Sequence, residues 1–194
     1  MKKIGLYFGS FNPVHIGHLI IAEYFRNHYH FDEVWFVVSP QNPLKDIRIL
    51  APEEDRLKML RLSLENATGL IACDVEFALS KPSYTCNTLR HLRTLHSDVE
   101  FTIILGEDNR TLFHQWKEFQ WILTNYAIRF FPRIGVDKTK SQVSWSDYDC
   151  EVADAPLIGI SSTLIRSNIE LGLSSRFMVP DVVLNYIQEK GLYK

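Results

Sequence analysis

The chain alternates. Runs rich in β-formers are separated, again and again, by segments of helical periodicity, and that alternation restricts the fold more than any other feature. Strand-like runs fall at 3–9 (KIGLYFG), 32–40, 69–77, 100–106 (EFTIILG, the clearest buried strand), 126–133 and 151–156. Helical periodicity occupies 18–29, 52–66, 85–96, 110–125, 161–172 and 180–191. Leu57, Leu60 and Leu64 share one helical face, and Leu89, Leu92 and Leu95 another. Pro and acids open the 52–66 segment, a serine cap and a glycine bracket 161–172, and Pro180 starts the last helix. The pattern predicts βαβ units around a parallel sheet, in a single domain spanning 1–194. The stretch 135–150 loses periodicity and reads as a surface loop.

Charge and composition narrow the partners. Lys and Arg number 21 against 23 Asp and Glu, a net charge of −2, with 46% apolar residues. No basic field of the kind that holds a nucleic-acid backbone is present, so affinity for phosphate must be local to a site. The three cysteines, Cys73, Cys86 and Cys150, are far apart and form no C-x-x-C pair, which argues for a reducing compartment. The amino terminus reads as a first strand rather than a signal peptide, and no apolar run approaches the ~20 residues of a membrane span. A soluble, cytoplasmic protein is expected.

Ligands of such sheets bind beyond the carboxyl ends of the strands, at the switch point. The stretch GSFNPVHIGH (9–18) lies at one such end. It carries neither a P-loop nor the dinucleotide fingerprint G-x-G-x-x-G. What it offers is Gly9, Ser10 and Phe11, then His15, Gly17 and His18 at the mouth of a helix. Backbone N–H groups at a helix start suit an anion, the glycines allow close approach, and imidazoles at i and i+3 share a face. A polyphosphate is the natural guest. A metal pair is the weaker reading, because no third ligand stands at fixed spacing. Near the other end, ISSTLIR (160–166) places Ser161, Ser162 and Thr163 at a helix start, with Arg166 one turn beyond Ser162, able to fork onto phosphate oxygens.

GSFNPVHIGH resembles the G-[GT]-[ST]-F-[DN]-P-x-H-x-G-H signature of the nucleotidyltransferase superfamily of adenylyl- and cytidylyltransferases. ISSTLIR matches that superfamily's second signature, I-S-S-T-x-[IV]-R, at every position. The fold implied is a Rossmann-like doubly wound parallel α/β sheet with helices on both faces. The middle of the chain is similar to one branch, the nicotinate mononucleotide adenylyltransferases. PSYTCNTLRHLR (82–93), ILGEDN (104–109), FHQWKEFQWIL (113–123) and SPQNPLKD (39–46) resemble that branch's segments, in order.

The resemblance implies adenylyl transfer from ATP to nicotinate mononucleotide, with Mg²⁺ and with His15, His18 and Arg166 as catalytic residues. Gly9, Ser10, Phe11, His15, Gly17, His18, Gly106, Asp108, Ile160, Ser161, Ser162, Thr163 and Arg166 are the implied ATP contacts. Asn42, Lys45, Tyr84, Thr85 and Trp116 are implied for the acceptor, with Trp116 stacking on the nicotinate ring. No protein-bound metal, nucleic acid or membrane is implied, and a homo-oligomer is compatible. Two positions depart from the usual signature, Phe8-Gly9-Ser10 for Gly-Gly-Thr and Asn12 for Asp, and they bear on metal handling. An amide-preferring adenylyltransferase and a non-catalytic nucleotide-binding module are the alternatives; a hydrolase built on His15 and His18 is a weaker one.

Overall fold

The computed structural model describes residues 1–41, 47–137 and 141–194. Six strands, β1 (Lys2–Gly9), β2 (Glu33–Val38), β3 (Leu70–Cys73), β4 (Val99–Gly106), β5 (Ala127–Phe131) and β6 (Cys150–Val152), form one sheet in the order β3-β2-β1-β4-β5-β6. Every pairing is parallel, with Tyr7 of β1 set between Phe36 of β2 and Ile104 of β4. The helices are α1 (Ile16–His28), α2 (Glu53–Ser63), α3 (Thr85–Leu95), α4 (Asn109–Leu112), α5 (Phe119–Asn125), α6 (Ser162–Glu170) and α7 (Asp181–Lys190). This is the parallel sheet the alternation predicts, in the doubly wound order the signature resemblance implies.

Successive side chains of a strand point to opposite faces, and the core divides accordingly. Tyr7, Phe36 and Ile104 pack on one face with Ile21 and Phe25 of α1, Leu57 and Leu60 of α2, Ile165 of α6 and Val183 of α7. Leu6, Ile103, Leu105 and Phe130 pack on the other with Leu89 and Leu92 of α3, Ile122 of α5 and Trp145. Among the described residues no helix is long and apolar enough to cross a membrane.

Four expectations change. The predicted strand 69–77 stops at Cys73 and turns into a short 3-10 helix, Val75–Ala78, which sinks Glu76 beneath α3. The predicted strand 151–156 shrinks to Cys150–Val152. The helix expected over 110–125 is broken into α4, a 3-10 turn (Phe113–Gln115) and α5, with Trp116 extended and Glu118 left-handed at φ 55°. At about 100° per residue, an unbroken helix would point Phe113 and Ile122 in opposite directions. The break lets both sink fully into the same core. The 135–150 stretch is not wholly surface: Trp145 is buried edge-on against Phe113 and Phe130, and its indole N–H donates to Ser141 Oγ at 2.6 Å.

Candidate active site

At the centre of the sheet the chain winds outward from β1 in one direction and from β4 in the other, leaving a gap between their carboxyl ends. A cleft of about 1370 Å³ opens there. Gly9, Ser10, Phe11, His15, His18, Gly106, Asp108, Ser161, Ser162, Thr163 and Arg166 line it, and so do Tyr84, Thr85 and Trp116. Residues from both ends and the middle of the sequence thus share one space. Gly17 and Ile160 do not line that cleft; they border a narrow adjoining crevice, which His15 and His18 also touch. Asn42 and Lys45 lie outside the described residues.

The glycines of the first loop make room for the site's own side chains. A Cβ on Gly9 would meet the Phe11 ring at 2.8 Å, and one on Gly17 would meet Ile158 at 2.6 Å and the His15 ring at 3.0 Å. Phe11 itself adopts φ 45°, unusual for a residue with a Cβ. Its buried ring joins Tyr7 and Phe36 in an aromatic floor, with centroids 5.4–5.6 Å apart, and His18 stands on Phe11 at 5.1 Å.

His15 caps α1, and its ring stacks on that of His18 at 3.6 Å. The His15 backbone N–H donates to His18 Nδ1 at 3.2 Å. That bond makes Nδ1 an acceptor, so the neutral His18 ring carries its proton on Nε2. The helix amides contribute less than a bare terminus would. Ile16 N–H donates to the Met178 carbonyl, and the amides of His18 and Leu19 close onto the His15 carbonyl.

Burial holds the His15 imidazole down at about 3, and the Arg133 guanidinium adds to that effect. Its Nδ1 has no hydrogen-bond partner among the described residues. His15 is therefore neutral at pH 7, whereas in the unfolded chain it gains a proton near pH 6.5. Below that pH the unfolded state binds the extra proton, so His15 contributes stability above pH 6.5 that is lost as pH falls toward 3. Urea unfolding should show a loss of about 1.5 kcal/mol from this group between pH 6.5 and 5. His15→Gln should flatten that slope; an unchanged slope would assign the acid sensitivity to other groups.

The second signature closes the site from the opposite side. Ser161 Oγ caps α6 by accepting from Leu164 N–H at 3.1 Å, and Ser162 Oγ donates to the Pro13 carbonyl at 2.9 Å. Arg166 donates to the Asn12 carbonyl at 2.9 Å and reaches Thr163 Oγ1 at 3.4 Å, which sets its guanidinium beside the first loop. Asn12 is held by its own hydrogen bonds. Its buried amide donates to the Ile49 carbonyl and accepts from Ala51 N–H and the Tyr193 hydroxyl, so the departure from Asp is a structural one. Both faces of that amide are used, which a carboxylate would not satisfy.

At the other end, Tyr84 and Thr85 open α3. The buried Glu76 carboxylate accepts from Thr88 Oγ1 at 2.7 Å and pins this first turn; burial pushes its pKa up. Trp116 stacks on the buried Phe113 at 4.8 Å. Lys117, beside it, sits 4.8 Å from the Tyr84 ring centroid. Glu118 is taken by a two-pronged contact from Arg90, at 2.9 and 2.5 Å, so its charge is matched elsewhere.

Sequence reasoning missed Arg133, Glu76 and Lys117. Arg133 lines the cleft, with Nε 3.6 Å from Asp108 Oδ1 and its guanidinium 5.1 Å from the Phe131 ring centroid. Its signal was available: a cation closing the strand-like run 126–133, at the edge where ligands bind. Glu76 had none, since an acid in an apparent strand looks like surface. Among the described residues no three His, Cys, Asp or Glu cluster as metal ligands.

The sheet order sets a histidine pair at the start of α1 across from a capped helix that carries an arginine. The family model described as cytidylyltransferase-like matches residues 6–168. The chain is 42% identical over 192 residues, 99% of each sequence, to a protein of Flavobacterium johnsoniae named "Probable nicotinate-nucleotide adenylyltransferase". It is 40% identical to a protein of the same name from Bacteroides fragilis, covering 96% of this chain and 92% of that one. The chain belongs to the cytidylyltransferase-like family and, within it, to the nicotinate-nucleotide adenylyltransferases. In fold it is similar to Plasmodium falciparum nicotinic acid mononucleotide adenylyltransferase complexed with NaAD, at a TM-score of 0.83 and 20% identity, over 100% of this chain and 98% of that one.

Proposed function

We propose that this chain transfers the adenylyl group of ATP to nicotinate mononucleotide, giving nicotinate adenine dinucleotide and pyrophosphate, a step of NAD synthesis. The observation that carries the reading is the shared cleft, in which the histidine pair and Arg166 face the same space as Tyr84, Thr85 and Trp116. Full-length similarity to proteins named for this activity supports it.

In the reaction, an oxygen of the acceptor's 5′-phosphate attacks the α-phosphorus of ATP, the bond to the bridging oxygen breaks, and pyrophosphate leaves. No covalent enzyme intermediate is required, so the protein's part is positioning and charge stabilisation. His18 donates from Nε2 to a phosphate oxygen as negative charge grows. His15, neutral and stacked behind it, fixes its tautomer and gains basicity once phosphate is near. Arg166 and Arg133 supply the fixed positive charge. Mg²⁺ arrives on the triphosphate as part of the substrate and neutralises its oxygens. The reaction takes place in the cytoplasm.

The test is pyrophosphate release from ATP and Mg²⁺ with nicotinate mononucleotide, nicotinamide mononucleotide and phosphopantetheine compared as acceptors. Release fastest with the first supports the reading; release with phosphopantetheine alone, or none from folded protein that binds ATP, overturns it. Lys117 adds a specific expectation. Its exposed ammonium favours an acidic acceptor by a screened interaction worth up to about 1 kcal/mol. Lys117→Met should therefore lower the acid-to-amide ratio of kcat/KM by up to about fivefold, and less at high salt. A ratio that stays constant would remove the side chain from acceptor selection.

A further inference from the structure

Arg56 of α2 is 1% exposed, and it makes no ion pair among the described residues. Its guanidinium is instead spent on carbonyl oxygens. Nε donates to Ala51 at 3.0 Å, Nη1 to Ser10 at 2.7 Å and to Ser39 at 2.8 Å, and Nη2 to Pro40 at 2.8 Å. These carbonyls belong to three separate pieces of chain: the loop after β1, the end of β2 and the entry to α2. Asn12 grips the same entry segment from the other side, through Ile49 and Ala51.

A buried cation without an anionic partner is costly, and desolvation lowers the Arg56 pKa. A neutral side chain would fill the same volume at less cost. The charge makes sense if it acts on what lies in front of it. The Ser10 carbonyl belongs to the peptide unit whose other end is the Phe11 N–H, and Ser10 and Phe11 both line the cleft. A guanidinium on the oxygen of a peptide draws electron density from its nitrogen and makes the N–H a stronger donor. No described residue accepts a hydrogen bond from the Phe11 N–H. The left-handed φ of Phe11, 45°, sets the orientation of that amide.

We propose that Arg56 is a positioning residue for the nucleotide phosphates: from behind the first loop it fixes and polarises the Ser10–Phe11 peptide, and it locks that loop to the end of β2. Arg56 touches no substrate; it acts through the loop. The inference rests on the reading of the cleft as an ATP site. It assigns a role to α2, a helix that neither signature includes.

The test uses purified full-length protein and titrates ATP and inorganic pyrophosphate by calorimetry, with thermal melts alongside. Arg56→Met should weaken both ligands at least tenfold per folded molecule, while Arg56→Lys, which keeps the charge and one or two of the carbonyl bonds, should stay within about threefold of wild type. A folded Arg56→Met with wild-type affinity overturns the proposal, as does an Arg56→Lys that loses as much affinity as Met. Should Arg56→Met fail to fold, the wild-type protein decides by NMR. Pyrophosphate must shift the Phe11 amide resonance, and an unmoved resonance overturns the assignment. Wild-type protein that binds no ATP at all overturns the functional reading together with this one; bound ATP with insensitivity to Arg56 overturns this one alone.

Discussion

Replacing His18 by alanine should lower kcat by about 10²–10³-fold, the usual cost of removing one aimed donor from a developing oxyanion. The geometry says why the loss falls on turnover. His18 lines the cleft and its Nδ1 is occupied by the His15 N–H, so in the proposed reaction Nε2 is the nitrogen that would present a proton to phosphate. The ring is half-buried and makes edge contacts with Phe11 and Tyr7, so its removal also costs some stability, within the ordinary range of about 0.5–3 kcal/mol. The rate must accordingly be read per folded molecule. His18→Gln separates the two effects, because glutamine can place an amide N–H near the position of Nε2. It should recover about tenfold of the lost rate. The measurement is single-turnover formation of dinucleotide at saturating ATP. Alanine and glutamine variants at wild-type rate would remove His18 from the chemistry. Because the two rings stack at 3.6 Å, a His15/His18 double variant should lose less than the product of the single losses.

What the sequence revealed, and what it did not, follows from the range of each interaction. Strand order is not local: alternation pointed to βαβ units around a parallel sheet, and the doubly wound order came from the resemblance carried by the two signatures. The signature loops were legible because a turn between strand and helix is built by neighbours in sequence. The contacts that join them were not. Arg166 meets the Asn12 carbonyl across 154 residues, and Ser162 meets Pro13 across 149. Helical periodicity misled at 110–125, where the apolar residues keep roughly the right spacing but a left-handed Glu118 resets the phase. Trp145 was invisible for the opposite reason: a lone tryptophan in a mostly polar stretch sets no apolar period. Arg56 looked like any charged residue in an amphipathic helix, since nothing local distinguishes a guanidinium facing solvent from one facing four carbonyls.

Phe36→Ala should be the most destabilising single change near the site, at about 3–5 kcal/mol. Against the ~5–15 kcal/mol that holds a domain together, that places the variant near its unfolding threshold, with a melting point lower by roughly 10 °C. Phe36 is fully buried in β2, in register with Tyr7, and its ring touches Tyr7 and Phe11 at 5.4 Å. Strand β2 is flanked by β1 and β3, so the backbone has little freedom to collapse into the hole. The cavity would lie directly beneath Phe11, whose left-handed backbone depends on its ring being held. ATP affinity should therefore fall along with stability, although Phe36 does not line the cleft. Phe36→Leu, which keeps most of the volume, should cost no more than about 1.5 kcal/mol and spare the affinity. Urea unfolding with an unchanged m-value is the readout. A loss under ~1 kcal/mol for the alanine variant would mean that the aromatic floor repacks freely. In that case the Phe11 conformation would have to be held by the loop's own hydrogen bonds, with the Arg56–Ser10 contact first among them.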